Sequence, residues 1–406
     1  MASGQLETES EAQTRVITGN EAAAHGARLS RPEVVSAYPI TPQSEVSETM
    51  AEFVADGKLD AHLFRIESEH SAMSSLIGAS LAGVRTFTAT ASNGLFYMAE
   101  MLHFASGGRL PIVMTVANRA TSAPWNVWGD QSDALSQRDA GWIQLFAENP
   151  QEVLDTVIQA YRIAEQDDIL LPVMVNYDGF QVSHISEPVD IPSQAAVDEF
   201  LPPFEPVESL AKSLEENDPK AFHHIMPPEA SYMEYKYRQA QASERAAERI
   251  EAVDAAFGDH FGRKWGGLVD TYRVDDAEVV LVTLGALTTT AKAVADEYRE
   301  DGHDVGVLKL RSFRPLPVDE LQELLADVPV VGVVEKNNSF GREGAAYGEV
   351  AAALSNVDGT RVQGFVTGLG GREVTTDHVG AMFDALLDTH ETGTIEKNVQ
   401  WMGVVE

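Results

Sequence analysis

The chain contains no cysteine among its 406 residues. That removes disulfides, a thiolate nucleophile, cysteine-based zinc sites and cysteine-ligated iron–sulfur clusters from anything this polypeptide does by itself. Positive charge is also scarce. Against 63 Asp and Glu stand 29 Lys and Arg, a formal charge of −34. So acidic a surface repels phosphate backbones and anionic headgroups, which excludes nucleic acid and a membrane surface as partners. The excess is spread along the chain, as expected for plain solubility or for adaptation to a salty cytoplasm. Long apolar runs are missing, since Ile169–Val175 and Val279–Val282 are strand-sized, far below a membrane span. No Gly-x-Gly-x-x-Gly follows an apolar run, which argues against a nucleotide-binding dehydrogenase. Residues 1–15 are polar and acidic, without the basic-then-apolar order of a secretory signal. They read as a disordered leader, and the protein as cytoplasmic.

What is present is an alternation of short apolar runs and helical stretches. At this length two or three domains, each with a full core, are expected. From Val16 the pattern predicts a helix at Asn20–Leu29, a strand at Val34–Ile40 and a helix at Ser44–Ala55. A strand at Leu63–Ile66, a Ser/Ala-rich helix to Ala82 and a strand at Arg85–Ala89 follow. A helix near Leu95–Phe104, a strand at Ile112–Ala117, a helix at Pro150–Glu165 and a strand at Ile169–Asn176 complete the block. Nearly continuous apolar strands separated by helices imply a parallel sheet covered on both faces, here over residues 16–190. Pro188–Asp218 is rich in Pro, Glu and Ser and reads as an arm; Ser231–Gly258 reads as a long, mostly polar helix. Arm and helix together span 191–275. A second α/β block occupies 276–395, with strands at Val279–Leu284, Val305–Leu310, Val330–Glu335 and Arg361–Val366. A tail over 396–406 carries Trp401 and Met402 and is expected to dock on the body.

Four stretches of the first block place reactive side chains just past strand ends, where open α/β sheets bind ligands. In Arg65–Met73 (RIESEHSAM) an apolar run gives way to a helix of small residues. Glu67 and Glu69 suit a helix N-terminus equally well as caps, and one of them could instead point into a crevice. In Tyr38–Ser44 (YPITPQS) prolines stiffen the turn. Thr41 is a turn residue or a hydroxyl donor to a substrate carboxylate. Thr86–Gly94 (TFTATASNG) is small and polar, permitting close approach. Arg119 follows the apolar run Ile112–Val116, placed to pair with an anionic ligand or with one of the many acids. Trp125–Asp133 (WNVWGDQSD) is an aromatic and acidic loop, and Asp178-Gly179-Phe180 ends the next strand.

Taken in order, GNEAAAHGA (19–27), AYPITPQSE (37–45), ESEHSAMSSLIGAS (67–80), TFTATASNGL (86–95), ANRATSAPWNVWGDQSD (117–133) and YDGFQVSH (177–184) resemble one family. It is the α subunit of the pyruvate:ferredoxin oxidoreductases. The second block, through RSFRPLP (311–317) and VVEKNNSFGREGAAYGEV (333–350), resembles that family's transketolase C-terminal-like domain.

The resemblance implies that the first block is the pyrimidine-binding domain of a thiamine-diphosphate fold. Glu69 would face N1′ of the cofactor's aminopyrimidine and share a proton with it, activating the thiazolium carbon. Thr41 and Arg119 would lie near the 2-oxoacid carboxylate. It further implies loss of CO2, one-electron transfer through iron–sulfur clusters to ferredoxin, and acyl transfer to coenzyme A. Without cysteine, every cluster must lie on another chain. Nor is there a Gly-Asp-Gly followed by Asn, the pattern expected where Mg2+ holds the diphosphate. The diphosphate half is therefore expected on a β subunit, with γ and δ subunits or equivalents completing the complex. Ferredoxins are usually acidic, so this chain's own surface is not expected to receive one. Pyruvate is the favoured substrate; 2-oxoglutarate or a branched-chain acid, or a non-catalytic scaffold role, are the alternatives.

Overall fold

The computed structural model describes residues 12–206, 208–216, 225–229 and 231–405. Residues 1–11 of the expected leader and parts of the expected arm, including 217–218, therefore lie outside the described residues.

Seven strands form the first sheet. Their order is Ser312–Arg314, Ile143–Ala147, Val173–Asp178, Val113–Asn118, Thr86–Thr90, Val34–Ala37 and His62–Arg65. All are parallel to their neighbours except Ser312–Arg314, which runs antiparallel to Ile143–Ala147. Side chains alternate across the sheet as the two-residue period requires. Val113 and Val175 pack with Ala23, Ala27, Val153 and Val157, from helices Gly19–Leu29 and Pro150–Ala164. Met114 and Met174 pack on the other face with Met73, Leu76 and Leu102, from helices Glu69–Ala82 and Ala99–Gly107. The expected sheet covered on both faces is what forms.

Local sequence explains where the helices start. Thr18 caps Gly19–Leu29 in a reciprocal box with Glu21. Asn149 caps Pro150–Ala164, with proline in the first turn where its missing N–H costs nothing. The small-residue helix ends at Gly83, whose φ of 99° is left-handed.

The second sheet has the order Val399–Trp401, Arg361–Val366, Val330–Glu335, Val279–Thr283, Val305–Leu310, Val269–Tyr272. Only Val269–Tyr272 is antiparallel to its neighbour. The expected tail is thus tied down as a parallel edge strand, Val399–Trp401 against Arg361–Val366.

Several elements differ from the expectation. Gln13–Thr18 is a strand paired with Ser186–Ile191, so residues 13–15 of the expected leader belong to a sheet. Val269–Tyr272, read as part of the segment before the second block, is an edge strand of that block's sheet. Near Leu95–Phe104 there are two short helices, Ser92–Tyr97 and Ala99–Gly107, rather than one. The long helix is Tyr232–Phe261, and its buried stripe is Ala242, Ala246, Ile250, Val253 and Phe257. Met233 and Tyr237, in the first turns of that helix, are exposed. The core-facing period begins only where the helix reaches the body.

Two buried polar clusters join the blocks. Glu152, on a first-sheet helix, accepts from Lys309 and, at 3.1 Å, from Arg311; all three side chains are at most 1% exposed. Arg311 also donates to Thr156, Gln159 and the Gly267 carbonyl, so the guanidinium is satisfied by fixed acceptors. At the second cluster, Lys336 donates to Asp178 at 3.0 Å, and Ala286 N–H donates to the other Asp178 oxygen at 2.8 Å.

Candidate active site

Four adjacent parallel strands of the first sheet end on one side, and each hands over to a segment named above. Val34–Ala37 leads to Thr41, His62–Arg65 to Glu69, Thr86–Thr90 to Ser92 and Gly94, and Val113–Asn118 to Arg119. The carboxyl ends of a parallel sheet thus collect these residues from widely separated parts of the chain.

Capping chemistry distinguishes the two glutamates. Ser68 is the helix N-cap, its hydroxyl accepting from Ser71 N–H. Glu67 is exposed and accepts from the Ser71 hydroxyl at 2.5 Å, which holds its carboxyl below the usual range. Glu69 is instead buried, with 6% of its surface exposed. Among the described residues no other side chain hydrogen-bonds its carboxylate. Burial raises its pKa, opposed only by its own backbone N–H. The carboxylate lies over Gly94, where a Cβ would stand 2.6 Å from Oε1 and 2.7 Å from the Thr90 hydroxyl. That hydroxyl is buried and has no partner among the described residues. Glycine is required here by close approach rather than by backbone conformation.

Arg119 is 5% exposed. Its guanidinium donates to the Thr41 carbonyl at 2.7 Å, while its buried Nε has no partner among the described residues. Desolvation lowers its pKa, with Asp133 opposing. Thr41 therefore meets Arg119 through its carbonyl, and its side chain belongs to an exposed residue. Among the described residues no carboxylate pairs with the guanidinium, which donates to a backbone carbonyl instead. A cation without a counter-ion and a carboxylate without a side-chain partner among the described residues, both past the carboxyl ends of strands of one sheet, can hold an anion at one point and a proton at another.

Asp133 was missed as an individual residue. It is 0% exposed and accepts from Ser92 N–H, Arg119 N–H, Asn118 Nδ2 and Ala134 N–H. The residues just before it in the loop are pinned to the second block. Gln131 N–H donates to the Lys336 carbonyl at 2.8 Å, and Gly371 N–H to the Gly129 carbonyl at 2.7 Å. Trp128 packs on Phe180 at 4.3 Å, placing the aromatic loop beside the segment after Asp178.

Residues 25–255 match the family described as pyruvate flavodoxin/ferredoxin oxidoreductase, thiamine diphosphate-binding, and residues 277–379 match core domain II of pyruvate:ferredoxin oxidoreductase. The chain belongs to this family. The pyruvate synthase subunit PorA of Pyrococcus abyssi is 46% identical over 390 residues, covering 96% of this chain and 98% of that one. The PorA subunit of Methanothermobacter thermautotrophicus is 45% identical over 392 residues, covering 97% and 98%. The ketoisovalerate oxidoreductase subunit VorA of Pyrococcus horikoshii is 44% identical over 389 residues, covering 95% and 97%. A 2-oxoglutarate:ferredoxin oxidoreductase from Magnetococcus marinus, solved with 2-oxoglutarate, coenzyme A and succinyl-CoA, shares the fold at a TM-score of 0.68 and 19% identity. That likeness covers 91% of this chain but 65% of the other, longer one.

The first block of this pyruvate:ferredoxin oxidoreductase family chain is thus its thiamine-diphosphate-binding region. The donor set fits half of that cofactor. A desolvated carboxylate without a side-chain partner among the described residues suits a ring nitrogen that must be protonated, and the absence of a Cβ at Gly94 is what lets that carboxylate lie where it does. Among the described residues no group of three His, Asp or Glu side chains is placed to hold a metal ion. No described helix is long and apolar enough to cross a membrane.

Proposed function

We propose that this chain is the α-type subunit of a thiamine-diphosphate-dependent oxidoreductase acting reversibly on pyruvate. The balanced reaction is pyruvate, coenzyme A and two oxidised ferredoxins giving acetyl-CoA, CO2, a proton and two reduced ferredoxins. The observation that carries this reading is Glu69: a buried carboxyl of raised pKa, with no side-chain partner among the described residues, at the carboxyl end of a parallel sheet. When bound, thiamine diphosphate supplies the carbon nucleophile that attacks the keto carbon.

In this chain, Glu69 holds and returns a proton at the aminopyrimidine N1′. Desolvation serves that task, because a carboxyl raised toward neutral pH shares its proton more evenly with a weak base. Arg119 neutralises the substrate carboxylate with the guanidinium edge that the Thr41 carbonyl leaves free, and the Thr41 hydroxyl adds a donor. The diphosphate and Mg2+ sit on a β-type subunit, which also carries a cluster; γ- and δ-type subunits, or equivalents, take the electrons to ferredoxin. An interface at this site is supported by aromatic exposure beside it. Tyr97, 60% exposed, lies against His70, the neighbour of Glu69, and Tyr38, 38% exposed, precedes Thr41. A cytoplasmic location belongs to the same reading.

The likeness to the ketoisovalerate oxidoreductase subunit, close to that of the pyruvate synthase subunits, keeps branched-chain 2-oxoacids as the second reading. The test is turnover by the purified complete complex of pyruvate, 2-oxoglutarate and 3-methyl-2-oxobutanoate, with and without Glu69→Gln. We expect pyruvate to be fastest and the variant to lose oxidation by about 100-fold or more while still assembling. Faster use of another acid overturns the substrate, and an active Glu69→Gln complex would indicate a scaffold.

A further inference from the structure

The Asp133 carboxylate binds backbone from two separate strand ends. Its Oδ2 accepts Ser92 N–H at 2.8 Å and Arg119 N–H at 3.0 Å; its Oδ1 accepts Asn118 Nδ2 at 3.0 Å and Ala134 N–H at 2.8 Å. Ser92 has a φ of 50°, a region few non-glycine residues adopt, and its hydroxyl donates to the Ala120 carbonyl at 2.6 Å. Two residues after this strained turn comes Gly94, the floor beneath Glu69. One carboxylate therefore joins the backbone of Arg119 to the turn that seats Glu69.

We propose that Asp133 is a positioning residue for the 2-oxoacid, fixing the backbone of Arg119 against the turn beneath Glu69 so that the guanidinium is held where it binds the substrate carboxylate. This rests on Arg119 being the carboxylate anchor. Only a carboxylate meets the geometry: each of its oxygens takes two N–H groups. An amide would turn its own NH2 toward two of those donors. The cost of burying the charge is large, and burial raises the group to about 7 although Arg119, Ser92 and Asn118 all donate to it. Those bonds offset the cost only in this arrangement, so the three segments are held in one relative position.

The test is a double-mutant cycle on the assembled enzyme, with Asp133→Asn, Arg119→Lys and the pair. KM and kcat for pyruvate are measured alongside thermal melting. We expect Asp133→Asn to raise KM about tenfold with kcat falling less than about threefold, and the pair to be no worse than Arg119→Lys alone. Should the Asp133→Asn enzyme fail to assemble, Asn118→Ala removes one bond to the same carboxylate and should raise KM at least about threefold, again without additivity. A KM within about twofold of the parent, or effects that multiply in the pair, overturns the proposal. An Arg119→Lys enzyme with unchanged KM would instead overturn the anchor reading beneath it.

Discussion

Gly94 offers a sharp way to perturb Glu69 without touching it. In Gly94→Ala the new Cβ would stand 2.6 Å from Glu69 Oε1, 2.7 Å from Thr90 Oγ1 and 3.0 Å from Glu69 Cδ. Ordinary carbon–oxygen contacts begin near about 3.3 Å, so the carboxylate must retreat by roughly 0.7 Å. It has little room, because Glu69 is the first residue of its helix and is 6% exposed. Thr90 blocks the same space from the strand side. Displacing a catalytic group by about 1 Å costs on the order of 100-fold in rate, so a loss of roughly 10- to 100-fold is expected, about 1.4 to 2.7 kcal/mol of barrier. Helix propensity works the other way, since Ala in place of Gly favours a helix by up to about 1 kcal/mol. The melting temperature should therefore change little while activity collapses. The assay is pyruvate-dependent ferredoxin reduction by the assembled enzyme, with melting followed in parallel. Activity within about twofold of the parent would refute the claim that the Glu69 carboxylate must lie over Gly94.

The further predictions concern stability. Lys336→Ala leaves Asp178, fully buried, with its N–H donors but no cation; such a loss costs about 3–5 kcal/mol and should lower melting by on the order of 10 °C. Asp198→Ala, which breaks an exposed pair with Arg31, should cost under about 1 kcal/mol; equal shifts in the two variants would show that burial does not decide the outcome. His25 is lowered from 6.5 to about 3, chiefly by desolvation and then by Arg28, so the folded state refuses a proton that the unfolded chain accepts between those values. Stability conferred by the neutral ring is therefore complete above pH 6.5 and is lost as pH falls toward 3, by roughly 2 kcal/mol at pH 5. His25→Leu should flatten that acid-side loss in urea denaturation midpoints compared between pH 7.5 and 5, and an unchanged loss would remove His25 as its source.

The two-sheet architecture was legible because its strands are continuous apolar runs flanked by well-capped helices. The elements that escaped are those whose identity is tertiary. Ser312–Arg314 is three residues long, too short for any period, and becomes a strand only because Ile143–Ala147 lies beside it. Ile143–Ala147 itself, IQLFA, could as well be a turn of buried helix. For the site, the segments were legible and the division of labour within them was not. Glu67 and Glu69 both suit a helix start, and they are separated by the burial of Glu69 and by the Ser71 hydroxyl that bonds Glu67. Asp133 sat in a loop that read as aromatic and acidic. Its importance depends on donors 41, 15 and 14 positions away, which no local pattern encodes. The second block supplies none of the candidate reactive groups, yet its backbone at Lys336 and Gly371 pins both ends of the Gly129–Gln131 segment from which Asp133 follows. Its contribution to the site is stiffness: by fixing that segment it fixes Asp133, and through Asp133 the spacing between Arg119 and the turn beneath Glu69.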